Sequence, residues 1–389
     1  MNIIIVRTIA VEEDCSISIY NNQGIGLATA LSKIGHKCAL VYYAKKGNQR
    51  TEIIERQGYK IKVFHLEGMN IAWEAIYNDK LYEVCKNYDI IQTSECDQIC
   101  SWLLYKHFPE KVVVYHGPYR SKYTKRYNFK CNIMNEIFGK RNGFHSVKVI
   151  AKSNLARNDL IKLGYKNVET VGVGLDLTPL LSQKTSDQIP TRIMNIIQTS
   201  DKYEYLLFIG TISERKNLKF VIKVLDYIVN IKEIKTCKLI IIGDKVYNEA
   251  QYFKECQNML LKLNLLDNII FLGKVEQKYL QYVYTNSKVL VLPTKYDIFG
   301  MVYLEAMYFG IPIITTLSGG SSLLINNNEN GYIMPLEDIK EWSDMIVKIC
   351  QDKDRWKNIS MNNRTLIENN YTWDRLVSKF MKIYKEIVL

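Results

Sequence analysis

The stretch Val289–Gly310, "VLVLPTKYDIFGMVYLEAMYFG", decides how the rest of the chain is read. Its first four residues form a continuous apolar run, the pattern of a strand buried on both faces. Pro293 ends the run, a polar loop carries Asp297, and Gly300 opens an apolar helical segment that contains Glu305. A buried strand passing through a Gly-bearing loop into a helix is the unit of a doubly wound parallel sheet. Ligands of such sheets sit beyond the carboxyl ends of the strands, where Asp297 falls. Either the helix is amphipathic with incidental charges, or the acids serve a ligand site. Val302, Leu304, Ala306 and Met307 surround Glu305, and an acid set among them requires a partner.

The same unit recurs on both sides of this stretch. In the second half "YLLFIG" (205–210), "CKLIIIGD" (237–244), "NIIFLG" (268–273) and "IPIITT" (311–316) read as strands separated by helical patterns. In the first half "IIIV" (3–6), "CALVYY" (38–43), "KIKVFH" (60–65), "DIIQTS" (89–94), "KVVVYH" (111–116) and "VKVIAKS" (147–153) alternate with helices in the same way. Gly, Pro and polar residues without clear period fill 171–203. The expected organisation is a Rossmann-like domain at 1–175, a linker at 176–204 and a second such domain at 205–371. Three helices close the chain (337–350, 353–368, 372–388), the last packing back on the first domain. A cleft between two such domains is the expected site.

At 389 residues the chain exceeds what one core usually fills. Nine scattered Cys, with no His at metal-ligand spacing near Cys96 and Cys100, read as buried thiols in a reducing cytosol. The N-terminal "MNIIIVRTIAVEED" lacks the basic start and long apolar core of a signal peptide, and no run is long enough to span a membrane. A cytoplasmic protein is expected, attached to a membrane at most at its surface. The net charge of +12 is concentrated: Lys111 to Lys166 holds thirteen Lys and Arg against Glu136 and Asp159. In "YRSKYTKRYNFK" (119–130) Arg120, Lys122, Lys125, Arg126 and Lys130 interleave with aromatics. This region is either a solvated loop or a surface for an anionic acceptor or lipid face. No nucleic-acid motif accompanies it, so nucleic acid is not expected.

Several strand ends carry chemistry. After "YLLFIG", "TISERKN" puts Arg215 and Lys216 ahead of a helix start, where backbone N–H groups already favour an anion. His116 ends "KVVVYH" and either contacts substrate or is structural. Gly24 and Gly26 in "NNQGIGLATAL" are placed ahead of a helix, but Ala28 and Thr29 stand where a dinucleotide fingerprint needs its third Gly, which argues against NAD. "LSGGSS" (317–322) is another Gly turn at a strand end. The pair Asp352 and Asp354 has the spacing to hold a divalent metal, yet it lies between helices and away from any strand end.

Taken together, "FIGTISERKN", "LIIIGD", "IIFLGKV" and "LPTKYDIFGMVYLEAMYFGIPIITTLSGG", in this order and spacing, resemble the glycosyltransferases of family 4. The resemblance is strong over about 205–335 and looser before it. It implies the GT-B fold: α/β, with two facing Rossmann-like, doubly wound parallel-sheet domains and the active site in the cleft between them. By that similarity Asp297 binds the transferred sugar, Glu305 the ribose, and Phe299, Gly300 and Met301 the diphosphate region. Lys216 with Arg215 stabilises the leaving diphosphate, and Gly210, Gly273 and Lys274 line the nucleotide. His116, Gly24 and Gly26 face the sugar. It also implies retention of configuration, without a cofactor or a required metal. Three positions depart from the family pattern: Asp297 stands for the usual Glu, Thr211 follows Gly210 where many members have Arg, and "GGSSLLI" lacks the acid that commonly follows the Gly-Gly turn.

The expected function is a retaining transfer of sugar from a nucleotide-sugar donor, a UDP-sugar, to a glycan or polyprenyl-diphosphate-linked acceptor in bacterial cell-surface polysaccharide biosynthesis. Two alternatives share the sequence features. One is a nucleotide-sugar epimerase or hydrolase of the same fold, and the other is a non-catalytic sugar- or nucleotide-binding subunit.

Overall fold

The run Ile3–Val6 forms most of a strand buried from both sides, as continuous β-branched runs are when helices cover a sheet on two faces. The computed structural model describes residues 1–12, 22–182, 188–245 and 249–388. They divide into two units, Met1–Asp176 with Tyr371–Leu389, and Leu177–Asn370.

The first unit is built on β1 (Asn2–Val6), β2 (Lys37–Ala44), β3 (Arg50–Arg56), β4 (Tyr59–Ile71), β5 (Glu74–Tyr77), β6 (Ile90–Ser94), β7 (Val112–His116), β8 (Lys148–Ala151) and β9 (Asn167–Thr170). Its sheet runs β3-β4-β2-β1-β6-β7-β8-β9, with β5 added on β4. The pairings from β4 through β2 to β9 are parallel, whereas β3 and β5 each pair antiparallel with β4. That antiparallel edge departs from the wholly parallel sheet expected of the sequence. The C-terminal helix Trp373–Val388 belongs to this unit: Leu175 N–H donates to Tyr371 O at 2.7 Å, and Tyr384 Oη donates to Gln92 Oε1 at 2.6 Å.

The second unit holds β10 (Glu204–Ile209), β11 (Cys237–Ile242), β12 (Ile269–Gly273), β13 (Val289–Leu292), β14 (Ile313–Thr315) and β15 (Gly331–Ile333). These strands are parallel throughout in the order β12-β11-β10-β13-β14-β15. The direction of winding reverses between β10 and β13, which are neighbours in register Leu206 to Val289. Their carboxyl ends therefore form the switch point at which a doubly wound sheet opens a crevice. The segment 176–204 is not the bare linker expected: Thr191–Thr199 is a helix within this unit, with Ile193 and Ile196 buried. Two apolar residues one turn apart suffice to seat so short a helix. Among the described residues no helix is long and apolar enough to cross a membrane.

Candidate functional site

β10 ends at Ile209 and the chain turns into the helix Leu218–Asp226; β13 ends at Leu292 and turns into the helix Met301–Tyr308. Because the two strands pair, their loops are neighbours, and Lys295 N–H donates to Arg215 O at 2.8 Å. Arg215 Nη1 donates to Tyr296 O at 2.9 Å and stands 3.8 Å from Asp297 Oδ1. Lys216 Nζ donates to Asp297 Oδ2. Lys216 is 7% exposed, its stem lying against Gly210, while Arg215 is open to solvent. Neither N-cap residue, Asn217 or Gly300, caps its own helix start, although Tyr252 Oη accepts from the first-turn Lys219 N–H at 3.1 Å. Two cations, one carboxylate and two helix N-termini thus converge. With Asp297 balancing one positive charge, the group keeps a net attraction for an anion.

The loop that carries Asp297 is held from below. Gly300, at φ +82°, turns the chain into its helix in a region that side chains seldom adopt. Gly319 N–H donates to Asp297 O at 3.0 Å. A Cβ on Gly319 would stand 1.8 Å from Ile298 O, and one on Gly320 1.9 Å from Phe299 O. The Gly-Gly turn after β14 is thus the floor on which 297–299 rests. "LSGGSS" marked the turn in the sequence, but not what it touches.

Glu305 is fully buried, and Tyr284 Oη donates to its Oε2 at 2.8 Å. The partner demanded by the sequence argument is therefore a tyrosine whose ring stacks on Phe309. A ligand reaches Glu305 only if the side chains over it move. Met301 is half-buried at the helix start and Phe299 is buried. Gly210, Gly273 and the exposed Lys274 lie along the carboxyl edge of β10 and β12, where Gly243 N–H donates to Gly273 O at 2.9 Å.

In the first unit His116 is 2% exposed at the end of β7. Its Nδ1 lies 3.1 Å from Cys96 N and 3.2 Å from Glu95 Oε2. It serves one of them at a time, accepting from Cys96 with the ring proton on Nε2, or donating to Glu95. Glu95 Oε1 accepts from Lys152 Nζ at 3.0 Å, and Oε2 accepts from Gly117 N–H at 2.8 Å. Burial works to raise the Glu95 carboxyl, but Lys152, His116 and the Gly117 N–H outweigh it and hold it down at about 2. Neither Glu95 nor Lys152 stood out in the sequence. Both directly follow strands, and that position was the signal available.

Two placements read from the sequence need correction. Gly24 and Gly26 are not ahead of a helix but inside the first turns of one, Gln23–Lys33, capped by Asn22. Gly26 faces the Trp373 indole, 2.2 Å from where its Cβ would be. The basic stretch is not a loop throughout, since Lys125–Met134 is helical. Within it, Arg120 binds Asp159 through Nε at 2.9 Å, and Lys130 pairs with Glu74 at 2.9 Å and Asp97 at 3.3 Å. These two charges are consumed inside the unit, while Lys122, Lys125 and Arg126 remain exposed. Asp352 accepts from Arg355 N–H at 2.9 Å, an N-terminal cap for the helix Lys353–Asn370. Among the described residues no cluster of three His, Cys, Asp or Glu has metal-binding geometry. Burial pushes the Cys38 and Cys85 thiols up to about 12, so both stay protonated.

Residues 191–373 match the family described as Glycosyl transferases group 1, and that domain spans the Lys216–Asp297 site. The chain is 28% identical over 203 residues to the capsular polysaccharide biosynthesis glycosyltransferase CapM of Staphylococcus aureus, covering 48% of this chain and 50% of that one. It is 23% identical over 223 residues to an Escherichia coli UDP-Gal:alpha-D-GlcNAc-diphosphoundecaprenol alpha-1,3-galactosyltransferase, covering 57% and 55%. The chain spans about half the length of most of the curated relatives it matches. Across 99% of this chain and 100% of the other, it superposes on Anabaena HepE in complex with UDP with a TM-score of 0.72 at 15% identity. At that identity the likeness shows the fold, GT-B.

Proposed function

We propose, from the group 1 glycosyl transferase domain at residues 191–373, that this protein is a retaining glycosyltransferase of the family 4 kind. It moves a sugar from a UDP-sugar to a glycan or polyprenyl-diphosphate-linked acceptor in cell-surface polysaccharide assembly, at the cytoplasmic face of a membrane. The observation that carries the reading is the meeting of Arg215, Lys216 and Asp297 at the β10–β13 switch point. Support for the donor and acceptor classes comes from the E. coli relative, whose name specifies UDP-galactose and a diphosphoundecaprenol. The Staphylococcus relative, named for capsule synthesis, supports the pathway.

Breaking a sugar–phosphate bond builds negative charge on the departing diphosphate. Lys216 and Arg215, with the helix start at Leu218, stabilise that charge where it develops. These side chains supply the neutralising charge that other designs take from a divalent cation. Asp297 orients Lys216 and accepts from hydroxyls of the sugar. Glu305, itself oriented by Tyr284, is the proposed ribose contact. Asp297 has both oxygens turned toward cations, a poor arrangement for a nucleophile. We therefore favour attack by the acceptor from the face the diphosphate leaves, with the diphosphate as base, over double displacement.

Thermal unfolding with UDP, GDP, ADP and dTDP tests this. A nucleotide at ~100 times its dissociation constant adds roughly 2.7 kcal/mol, and the expected result is a rise with UDP that Lys216→Ala abolishes. No rise with any of the four, together with no turnover of UDP-sugars, would overturn the reading. The anomeric configuration of the product, read by NMR, tests retention.

A further inference from the structure

At the amino ends of its strands, the end opposite to His116 and Glu95, the first unit leaves part of its sheet uncovered. Asn2 pairs with Lys37, and Ile4, Ala39 and Lys62 form the next row across β1, β2 and β4. Side chains paired in this way share a face, and Ile4 and Ala39 place that face in the unit's core. Along the row burial falls away, from Ile4 at 0% and Ala39 at 1% to an exposed Lys62. The covering helix Lys80–Cys85 is the reason. Its six residues bury Leu81 and Cys85 on the sheet, but at 1.5 Å per residue they span only about 9 Å.

What the helix does not cover is a recess of about 740 Å³, a size that takes a small-molecule ligand. Phe64 and Tyr88, both half-buried, give it an aromatic lining. Lys37, Lys62, Lys80 and Lys86 line it as well, against a single acid, Glu83. Lys80 pairs with Glu83 at 3.0 Å, whereas Lys37, Lys62 and Lys86 enter no ion pair among the described residues. Lys62 Nζ lies 4.7 Å from the centre of the Phe64 ring. Lys111 Nζ, a fifth ammonium, donates to Lys86 O at 3.2 Å and to Tyr88 O at 2.9 Å, which fixes the backbone on that side. The nearby Asp89 is turned to Asn2 N–H, at 2.7 Å. Three ammonium groups without acids around one recess repel one another, and an anion among them reverses that cost.

We propose that this recess binds a small anion of the diphosphate class through Lys37, Lys62 and Lys86. Lysines meet phosphate oxygens as point charges on flexible stems, and three of them match the charge of two linked phosphates better than that of one carboxylate. The site belongs to the first unit and shares no residue with the Arg215, Lys216 and Asp297 group of the second. The inference therefore goes beyond the transfer reading and needs no part of the donor site.

Calorimetric titration of the full chain with inorganic pyrophosphate at fixed ionic strength tests this, on native protein saturated with UDP and on Lys216→Ala protein. The expected result is one saturable site in both. Lys37→Gln and Lys62→Gln each weaken it on the order of tenfold. Lys348→Gln, which removes an exposed lysine from a helix of the second unit, leaves it unchanged. Lys62→Met loses the pyrophosphate-induced rise in Tm while its ligand-free Tm holds, which separates lost binding from lost folding. Absence of saturable binding in both proteins overturns the proposal, as does binding that both Gln variants in the recess leave unchanged. An equal loss in Lys348→Gln also overturns it, since that would mean general attraction to a chain of net charge +12. Inorganic phosphate bound as tightly as pyrophosphate overturns the diphosphate class. The UDP-induced rise in Tm, read on the native samples, reports on the donor site separately.

Discussion

Lys216 Nζ donates to Asp297 Oδ2 across 81 residues of chain, so the position of the ammonium in one loop is set by a carboxylate in the next. A cation held in place beforehand needs no reorganisation when charge develops on a leaving group, and this is where such sites draw most of their rate.

Breaking that pair from one side is costly because both partners are largely buried. Lys216→Met is expected to lose roughly 3 kcal/mol of stability, the low end for a broken buried pair because Arg215 stays near Asp297. Asp297→Asn in the same chain should recover a good part of it. Urea unfolding of the two single variants and the double variant gives the coupling. Donor turnover by Lys216→Met should fall by about 10²- to 10³-fold. Turnover at the native rate would remove Lys216 from the chemistry.

The Gly319-Gly320 turn makes a second prediction. An added Cβ would meet backbone oxygens of Ile298 and Phe299 at 1.8 and 1.9 Å, and backbone cannot swing aside as a flexible side chain does. Gly319→Ala and Gly320→Ala should displace the Asp297 loop, lower the Tm and depress donor turnover together. If turnover persists in a destabilised protein, the turn supports the fold alone.

Strands announced by unbroken apolar runs, such as "IIIV", "LIII" and "VLVL", were legible because a parallel strand buried on both faces has no other pattern. β3, "RTEIIER", escaped because an exposed antiparallel edge carries charges and needs no apolar run. β5, β9 and β15 are too short to show a period. Lys216 and Asp297 could be found separately, each in a loop after a strand. Their contact follows only from the β10–β13 pairing, and that of Glu95 with Lys152 only from β6, β7 and β8 lying side by side. Local pattern fixes elements, while the order of strands decides which loop ends meet.

Two glycines two residues apart in one helix, Gly24 and Gly26, show the same limit. Gly24→Ala places its Cβ at ordinary contact, 3.4 Å from Asn22 Oδ1, and should gain about 0.5–1 kcal/mol from helix propensity. Gly26→Ala drives its Cβ to 2.2 Å from the Trp373 indole, and should lower the Tm by loosening the C-terminal helix. Thermal scans of both decide it; equal Tm values would refute the packing role of Gly26. Lower donor turnover by Gly24→Ala at undiminished Tm would fit the proposed sugar contact.

The Glu95 carboxyl makes acid stability a test of the first unit's strand-end cluster. Its folded pKa of about 2 lies below the ordinary 4.5, so between those values the unfolded chain binds the extra proton. The stabilisation is therefore complete above about pH 4.5 and is lost as pH falls through about 2. A shift of this size corresponds to roughly 3 kcal/mol. Glu95→Gln should be less stable than the native protein at neutral pH, and the gap should close steadily on acidification toward about pH 2. Lys152→Met removes the strongest opponent of the burial penalty, so the acid limb should move to higher pH. Urea unfolding across pH for the three proteins makes the comparison. Parallel curves for native protein and Glu95→Gln would mean that Glu95 titrates alike in folded and unfolded chains, and that the Glu95–Lys152 contact at 3.0 Å does not hold its proton off.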